Sequence, residues 1–218
     1  MTVLATLPAD TSPRRSQAER TATMRARLID AAIDCLNRLG YSATTLATIA
    51  EAAGVSRGGM LHQFPTKVDL MLAVVAFASG HDERAEGPKP VPPGTDLRQH
   101  FIDRTDRVWA VQTHPPLIAK LEIMMAARSD RVLAEKLPAI FEEIESARRE
   151  SMWALGQEIG IKDRATLEDM VTLHMSAMRG LAIEWQVTGD RSRVDRAYGL
   201  LKHYKTLLTD QLLTQAGL

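Results

Sequence analysis

Cysteine is almost absent from this chain of 218 residues, in which Cys35 is the single example. One thiol excludes an intrachain disulfide and a zinc site built from several cysteines, and it is typical of proteins in a reducing compartment. Cys35 lies on the apolar stripe of a predicted helix, so we expect a buried structural thiol. The expected location is the cytoplasm, and we expect no metal and no cofactor.

Long apolar runs and an excess of charge are also missing. No window reaches the eighteen or so apolar residues that a membrane span needs, and Pro8 and Asp10 interrupt the first residues, which argues against a signal peptide. The 27 basic residues balance 27 acidic ones, so the net charge is zero. Because no basic field covers the whole chain, any affinity for nucleic acid has to be local.

Catalytic signatures are missing as well. The sequence has six histidines but no HExxH, no GxSxG, no glycine-rich dinucleotide loop and no Glu-x-x-His pair. These motifs supply the metal ligands, the nucleophile or the phosphate cradle of common enzyme classes. Strand-length runs of alternating apolar and polar residues are absent too. We therefore predict an all-α fold and no enzymatic activity.

Helical periodicity begins near Arg20. Residues 1–19 lack it and are predicted to form a flexible arm. From Arg20 to Leu39, apolar residues recur at intervals of three or four, and Gly40 supplies the left-handed residue that commonly closes a helix. A first helix over these residues is the prediction.

Two short helices separated by a glycine turn are predicted next. Thr44 or Thr45 can cap the second helix and Ser56 can cap the third, while Gly54 takes the backbone conformation that the turn between them requires. Helix, short turn and short helix are the layout of a helix-turn-helix. The sequence therefore predicts a DNA-binding domain over residues 20–66.

The remaining residues, 67–218, are predicted to form about six helices. Thr66 and Asp69 are spaced as a capping box at the start of the fourth helix. The segment from Glu86 to Gly94 is rich in proline and glycine and is predicted to be a loop or hinge. Pro138 should kink or split the helix that contains it. The later helices are predicted at residues 96–112, 116–128, 130–159, 166–187 and 194–213.

Gly58 and Gly59 stand side by side in the third predicted helix, although each glycine costs about 1 kcal/mol relative to alanine in a helix. Two missing side chains let the backbone approach base edges in a major groove, where Arg57 can bind guanine through two hydrogen bonds. A flexible surface turn is the alternative. A P-loop is excluded because no Lys-Ser or Lys-Thr pair follows. The predicted DNA-contacting residues are Thr45, Ser56, Arg57, Gly58, Gly59, Leu61, His62, Gln63 and Lys67.

The stretch "TTLATIAEAAGVSRGGMLHQFPTKVDL" resembles the N-terminal domain of the TetR family of transcriptional regulators. This resemblance implies a dimer with three N-terminal helices for DNA and about six C-terminal helices for an effector and for self-association. One departure is Leu61, which stands where the family usually has a tyrosine; either it touches a thymine methyl group or it only packs. The matching residues are Ile49, Ala50, Gly54, Val55, Ser56, Gly58, Phe64 and Lys67.

The last two predicted helices carry apolar residues on more than one side. Helices that are apolar on two sides usually bury both, and the family resemblance implies that these helices pair with those of a second copy. The alternative is that they pack wholly inside one monomer. A mostly apolar effector pocket is expected between helices, although each candidate could equally be a core residue. The candidates are Trp109, Gln112, Glu122, Met125, Phe141, Trp153, His174 and Met178.

The function predicted from the sequence is a ligand-responsive, homodimeric transcriptional regulator. It is expected to repress by binding a near-palindromic DNA operator and to be released by a small, mostly hydrophobic effector. Its partners are therefore double-stranded DNA, the effector and a second copy, with no membrane. The main alternative is a helix-turn-helix that serves as a protein–protein adaptor, and an enzyme is the other.

Overall fold

The computed structural model describes residues 17–80 and 91–217, and within these ranges every regular element is an α-helix. The predicted all-α fold is confirmed, with three N-terminal helices followed by six more in the described residues. The helices are α1 (Gln17–Ala43), α2 (Leu46–Ala53), α3 (Arg57–Gln63), α4 (Lys67–Gly80), α5 (Leu97–Val111), α6 (Pro115–Ala126), α7 (Arg131–Glu158), α8 (Arg164–Thr188) and α9 (Arg191–Gln215).

Helix α1 is longer at both ends than predicted. It begins at Gln17, so residues 17–19 are helical instead of part of the arm, and Glu19 places a carboxylate in the first turn, where the helix dipole favours it. Residues 1–16 of the predicted arm lie outside the described residues. Gly40 interrupts the helix with φ 71° and ψ 174°, as its predicted role at the end requires, but one further turn continues to Ala43.

Helix α7 is not split at Pro138, which was one of the two predicted effects of this proline. The helix runs from Arg131 to Glu158 with the proline inside it. Proline removes one backbone donor and costs about 3 kcal/mol in a helix interior. Here α7 packs against α4, α5 and α8, so tertiary packing of its other turns offsets this local cost. Part of the predicted proline-rich loop, residues 86–90, lies outside the described residues, and residues 91–96 contain no helix.

Two hydrophobic cores are present in the described residues. The first joins α1 to α4 with one side of α6 and α7, and it includes Leu28, Phe64, Leu70 and Ile123. Cys35 is buried in it as predicted, and burial raises the pKa of its thiol. The second core joins α5, α7, α8 and α9. Because the first core crosses residue 66, the three N-terminal helices are packed continuously with the helices that follow.

Two absences hold for the described part of the chain. None of its helices is both long and apolar enough to cross a bilayer. Among the same residues, no group of three or more histidine, cysteine, aspartate or glutamate side chains is arranged to hold a metal ion.

Candidate nucleic-acid interface

The turn between α2 and α3 is closed by backbone hydrogen bonds. Gly54 has φ 60° and ψ 40°, a left-handed conformation that favours glycine, and its N–H donates to the carbonyl oxygens of Ala50 and Glu51. The N–H of Val55 also donates to Ala50, at 2.9 Å. From α1, Nη2 of Arg27 donates to the carbonyl oxygen of Ala53 at 2.5 Å. These bonds hold α3 at a defined angle to α2.

One side of α3 packs inward. Met60 and Phe64 are buried with Ile49 of α2, and Val55 packs against the same core, as predicted. The guanidinium carbon of Arg25 lies 4.4 Å from the centroid of the Phe64 ring, a cation–π distance. The sequence did not indicate this role for Arg25 or the capping role of Arg27, since both are ordinary polar positions on α1 whose partners lie far along the chain.

The other side of α3 is exposed. It carries Arg57, Gly58, Leu61 and His62, and within the described part of the chain Arg57 forms no side-chain hydrogen bond or ion pair. Leu61 is 41% exposed, so it does not belong to the core. Ser56 caps the helix by accepting a hydrogen bond from the N–H of Gly59 at 3.2 Å. One accessible face of α3 therefore presents the guanidinium of Arg57, the backbone of Gly58 and the apolar side chain of Leu61.

The two glycines differ in their surroundings. A Cβ atom added to Gly58 would meet nothing within 4 Å. A Cβ added to Gly59 would lie 3.2 Å from Cγ1 of Val55, 3.3 Å from Oγ of Ser56 and 3.6 Å from Sδ of Met24 in α1. The prediction that both glycines open the backbone to DNA therefore suits Gly58. Gly59 is half-buried, and its missing side chain lets α3 pack closely against its own cap and α1.

Thr45 and Gln63 lie at the two ends of the motif. Thr45, which is exposed, caps α2: its Oγ1 accepts from the N–H of Thr48, while Oγ1 of Thr48 accepts from the N–H of Thr45. Gln63 is half-buried in the last turn of α3. Gln63 therefore adjoins the exposed face of α3 in sequence, whereas Thr45 holds the start of the preceding helix.

Lys67, at the start of α4, is half-buried. Its Nζ donates to the carbonyl oxygen of Tyr41 at 2.6 Å and lies 3.8 Å from the centroid of that tyrosine ring. Oη of Tyr41 donates to Asp130, the residue that caps α7, at 2.5 Å. Burial lowers the pKa of Lys67, and the charge of Asp130 opposes this shift. A phosphate would compete with these partners, so the geometry favours Lys67 as a link between α1 and α4 over the predicted phosphate contact.

Comparison with known proteins identifies the family. Residues 28–74 match the model described as bacterial regulatory proteins, tetR family. The HTH-type transcriptional regulator CymR of Pseudomonas putida is 31% identical over 189 residues, which are 84% of this chain and 89% of CymR. The chain belongs to the TetR family. Its relatives are transcriptional regulators, so the prediction of a DNA-binding regulator in place of an enzyme is confirmed.

Solved structures agree with the TetR-family fold. Salmonella enterica GusR, 21% identical, has a TM-score of 0.61 and the match covers 88% of this chain and 96% of GusR. The multidrug binding protein EbrR, solved with imidazole, is 21% identical with a TM-score of 0.56, and the match covers 82% of this chain and 93% of EbrR.

The eight residues predicted for an effector pocket of this TetR-family chain have different surroundings, and some are buried while others are exposed. Trp109 and Met178 are buried in the second core, where Trp109 stacks on Tyr198 with 4.9 Å between ring centroids, and His174 of α8 is buried as well. Gln112 is buried at the end of α5. Periodicity marked these positions as facing inward, but it does not say which helix each of them faces.

Glu122 and Met125, two further candidates for the effector pocket, lie on the exposed side of α6. Met125 is 54% exposed on α6, and Glu122, one turn before it, is exposed as well. Oε2 of Glu122 accepts a hydrogen bond from the N–H of Tyr41 at 3.4 Å. The carboxylate thus meets the end of α1 next to Gly40, and it joins α6 to the DNA-binding part of the chain.

Phe141 and Trp153 are half-buried on α7, and each has an arginine against its ring. The guanidinium carbon of Arg179 is 5.6 Å from the centroid of Phe141, and that of Arg164 is 5.7 Å from Trp153. A separate cavity of about 70 Å³ lies where α5 meets α6, lined by Val111, His114, Pro116 and Leu117. It is far smaller than the roughly 300 Å³ at which ligand pockets begin.

Proposed function

We propose that this chain is a homodimeric, ligand-responsive repressor that acts in the cytoplasm on a near-palindromic DNA operator. One observation carries the DNA-binding part of the proposal. The exposed face of α3 carries Arg57, whose side chain has no partner among residues 17–80 and 91–217, beside Gly58, where no side chain keeps the backbone away from a groove. A recognition helix needs such a face to reach base edges.

Each residue of this face has a proposed role. Arg57 donates two hydrogen bonds to a guanine, and Leu61 contacts a thymine methyl group, the apolar mark of the major groove. Ser56, His62 and Gln63 bind phosphates and set the register of the helix on DNA. In the same proposal Thr45 meets a phosphate at the start of α2. Gly59 contributes indirectly by allowing α3 to pack.

The effector would bind within residues 67–218, while residues 20–66 bind DNA. Two contacts support a route between these regions. Glu122 of α6 accepts from the N–H of Tyr41 at the end of α1, and Nζ of Lys120, also in α6, donates to Oγ of Ser79 in α4 at 2.8 Å. A shift of α6 would therefore act on both helices that flank the helix-turn-helix. EbrR, by its name, binds drugs, which supports a small-molecule effector here.

The DNA-binding role is tested by replacing Arg57 with alanine. A duplex would first be enriched from a random pool by the native protein, and affinity for it and for a scrambled duplex would be measured by fluorescence anisotropy. We expect Arg57→Ala to lose about tenfold or more in affinity for the enriched duplex, because a bidentate contact to guanine contributes about 1–3 kcal/mol of discrimination. Its affinity for the scrambled duplex should change much less.

Arg38→Ala is the matched control. Arg38 is an exposed arginine on α1 that pairs with Asp34, four residues away. This variant should bind both duplexes like the native protein. If the native protein enriches no duplex, and its binding to any DNA is insensitive to salt, a protein–protein adaptor becomes the better account, since DNA binding weakens steeply as salt rises.

A further inference from the structure

Three basic side chains from three helices lie around Phe141 and Glu145. Nζ of Lys120 in α6 lies 5.5 Å from the centroid of the Phe141 ring, and the guanidinium carbon of Arg179 in α8 lies 5.6 Å from it. The third is Arg148 in α7, one turn beyond the carboxylate of Glu145. Glu145 is the acceptor that both arginines share within the described residues. We call Lys120, Phe141, Glu145, Arg148 and Arg179 the basic cluster.

Much of the basic cluster is removed from water. Lys120 is 4% exposed, and the side chains of Arg148 and Glu145 are 12% exposed. A buried charge is costly unless a counter-charge or hydrogen bonds offset the loss of hydration. Lys120 donates to Oγ of Ser79, and both Lys120 and Arg148 have further interactions as well. Among the described residues, Arg179 is therefore the clearest case in the cluster of a partly buried charge with incomplete compensation.

Within the part of the chain that the structure describes, the hydrogen bonds of Arg179 are long. Its side chain is 19% exposed, and its Nη1 lies 3.5 Å from Oε1 of Glu145, while Arg148 makes the shorter 2.7 Å bond to the same oxygen. Its other hydrogen bond, from Nη2 to Oγ of Ser176, is 3.3 Å long. Burial lowers the pKa of Arg179, Glu145 opposes this shift and Arg148 adds to it. One carboxylate thus serves two guanidinium groups, one of them at long range.

The pKa of Glu145 also reflects the excess of positive over negative charge in the basic cluster. Burial acts to raise the pKa of this carboxyl group, but Arg148, Arg179 and Lys120 together hold it below its ordinary value. An additional carboxylate at Arg179 would find the same positive surroundings. The half-buried ring of Phe141 beside it offers apolar surface to the rest of such a molecule.

We propose that the basic cluster is the anion-binding part of the effector site, and that the effector is a small carboxylic acid with an apolar body. This inference rests on the proposed effector response. The carboxylate accepts hydrogen bonds from Arg179, which gains a short charge-assisted partner that none of the described residues supplies. It also attracts Nζ of Lys120, whose bond to Ser79 joins α6 to α4. Charge at this site is thereby linked to the helix that follows the helix-turn-helix.

The test compares carboxylates with their uncharged amides. Hexanoate, octanoate, benzoate and phenylacetate are each paired with the corresponding primary amide, and every compound is titrated into the full chain while thermal unfolding is followed. A ligand that binds only the folded state raises the melting temperature. We expect at least one carboxylate to stabilise the native protein more than its amide does. Arg179→Gln should weaken that binding about tenfold or more.

Two further variants separate the site from general effects. Arg164→Gln removes an arginine from the same helix that pairs with Glu150 and Glu168 outside the basic cluster, and it should bind like the native protein. Arg179→Lys keeps the charge and should retain part of the affinity. Melting temperatures without added compound show whether each variant is folded.

The inference is overturned if no carboxylate exceeds its amide, or if Arg179→Gln keeps the full difference. Binding to the enriched duplex, measured in parallel, tests the proposed function separately. A chain that binds DNA and is released by an uncharged compound would keep the proposed function and lose the anion site. A chain that binds carboxylates at Arg179 without binding DNA would keep the anion site and lose the proposed function.

Discussion

At the scale of single residues, Gly58 and Gly59 illustrate how one helical step changes what a side chain would meet. Successive residues in an α-helix are rotated by about 100°. That rotation turns Gly58 toward open space and Gly59 toward Val55, Ser56 and Met24. A glycine in a helix is destabilising in both positions, but the compensation differs: at Gly58 it is the proposed access of DNA to the backbone, and at Gly59 it is close packing.

Alanine substitutions distinguish these two roles. Gly58→Ala should raise the free energy of unfolding by about 0.5–1 kcal/mol, because alanine favours the helix and its Cβ meets no atom. It should nevertheless weaken binding to the enriched duplex. Gly59→Ala should gain less stability or lose some, since Val55 and Ser56 must shift. Urea unfolding and fluorescence anisotropy measure the two effects, and Gly58→Ala binding DNA like the native protein would contradict the proposed contact.

The difference between the glycines was not predictable from the sequence, and neither was the position of Lys67. The motif marks α3 as the exposed helix, but which of the two glycines faces Met24 of α1 depends on how α3 packs. The carbonyl partner of Lys67 is Tyr41, 26 residues earlier. A lysine beside a helix start is an ordinary phosphate ligand by local reasoning. The contact of Lys67 with Tyr41 depends on how α1, α4 and α7 pack together, which local sequence does not reveal.

At the scale of helices, local chemistry predicted where most of them begin. Thr66 and Asp69 form the capping pair expected for α4, with the N–H of Asp69 donating to Oγ1 of Thr66 at 3.1 Å. Such bonds connect residues three apart, so their spacing is visible in the sequence. The continuity of α7 through Pro138 and the dispersal of the pocket candidates were not visible, because both depend on which helices pack together.

Lys205 links α9 to α5, and the titration of this lysine makes the free energy of unfolding depend on pH. Its side chain is buried, and Nζ donates to the carbonyl oxygen of Phe101 at 2.5 Å and to Oγ1 of Thr105 at 2.8 Å. Burial, with a contribution from Arg104, lowers the pKa of Lys205 to about 7. In the unfolded chain the pKa of a lysine is about 10.4. Between these values the unfolded state holds more protons, so the free energy of unfolding rises with pH.

We therefore expect Lys205→Met to remove a pH dependence that the native protein has. From pH 7 to pH 9, stability of the native chain should rise relative to the variant, by at most about 1.4 kcal/mol per pH unit. Urea unfolding at pH 7, 8 and 9 measures this. Lys202→Met is the control on the same helix, because the bond to Asp106 raises the pKa of Lys202 and moves its titration above this range. Parallel curves for native protein and Lys205→Met would refute the assignment.

At the scale of the whole molecule, the arrangement of the cores explains how an effector could act at a distance. The first core includes residues of α1 to α4 and of α6 and α7, such as Ile123 and Leu137. Packed cores shift between discrete arrangements instead of deforming continuously. Movement of α6 would therefore be transmitted to α1 and α4 as a change in their orientation. The boundary proposed near residue 66 separates the proposed DNA-binding region from the proposed effector-binding region, although the first core extends across it.

An exposed apolar surface on α8 and α9 supports the proposed dimer. On α9, Leu200, Tyr204 and Leu207 follow one another at four and three residues, so they lie on one face, and each is exposed by more than half. On α8, Leu173 and Val187 are exposed by 62% and 78%. Exposed apolar surface marks an interaction site in many proteins. A second copy seated there would place two α3 helices on one duplex.

Leu207→Glu tests this arrangement because it introduces two like charges, one from each copy, into the proposed interface. The native protein should sediment at about twice 24.1 kDa and the variant near the monomer mass. Affinity for the enriched duplex should fall by about tenfold or more, since a monomer reaches only one of two half-sites about 34 Å apart. Val132→Glu, an exposed apolar position on α7, should leave mass and affinity unchanged. If Leu207→Glu remains a dimer with native affinity, the copies pair through another surface, and the spacing of the two α3 helices is set elsewhere.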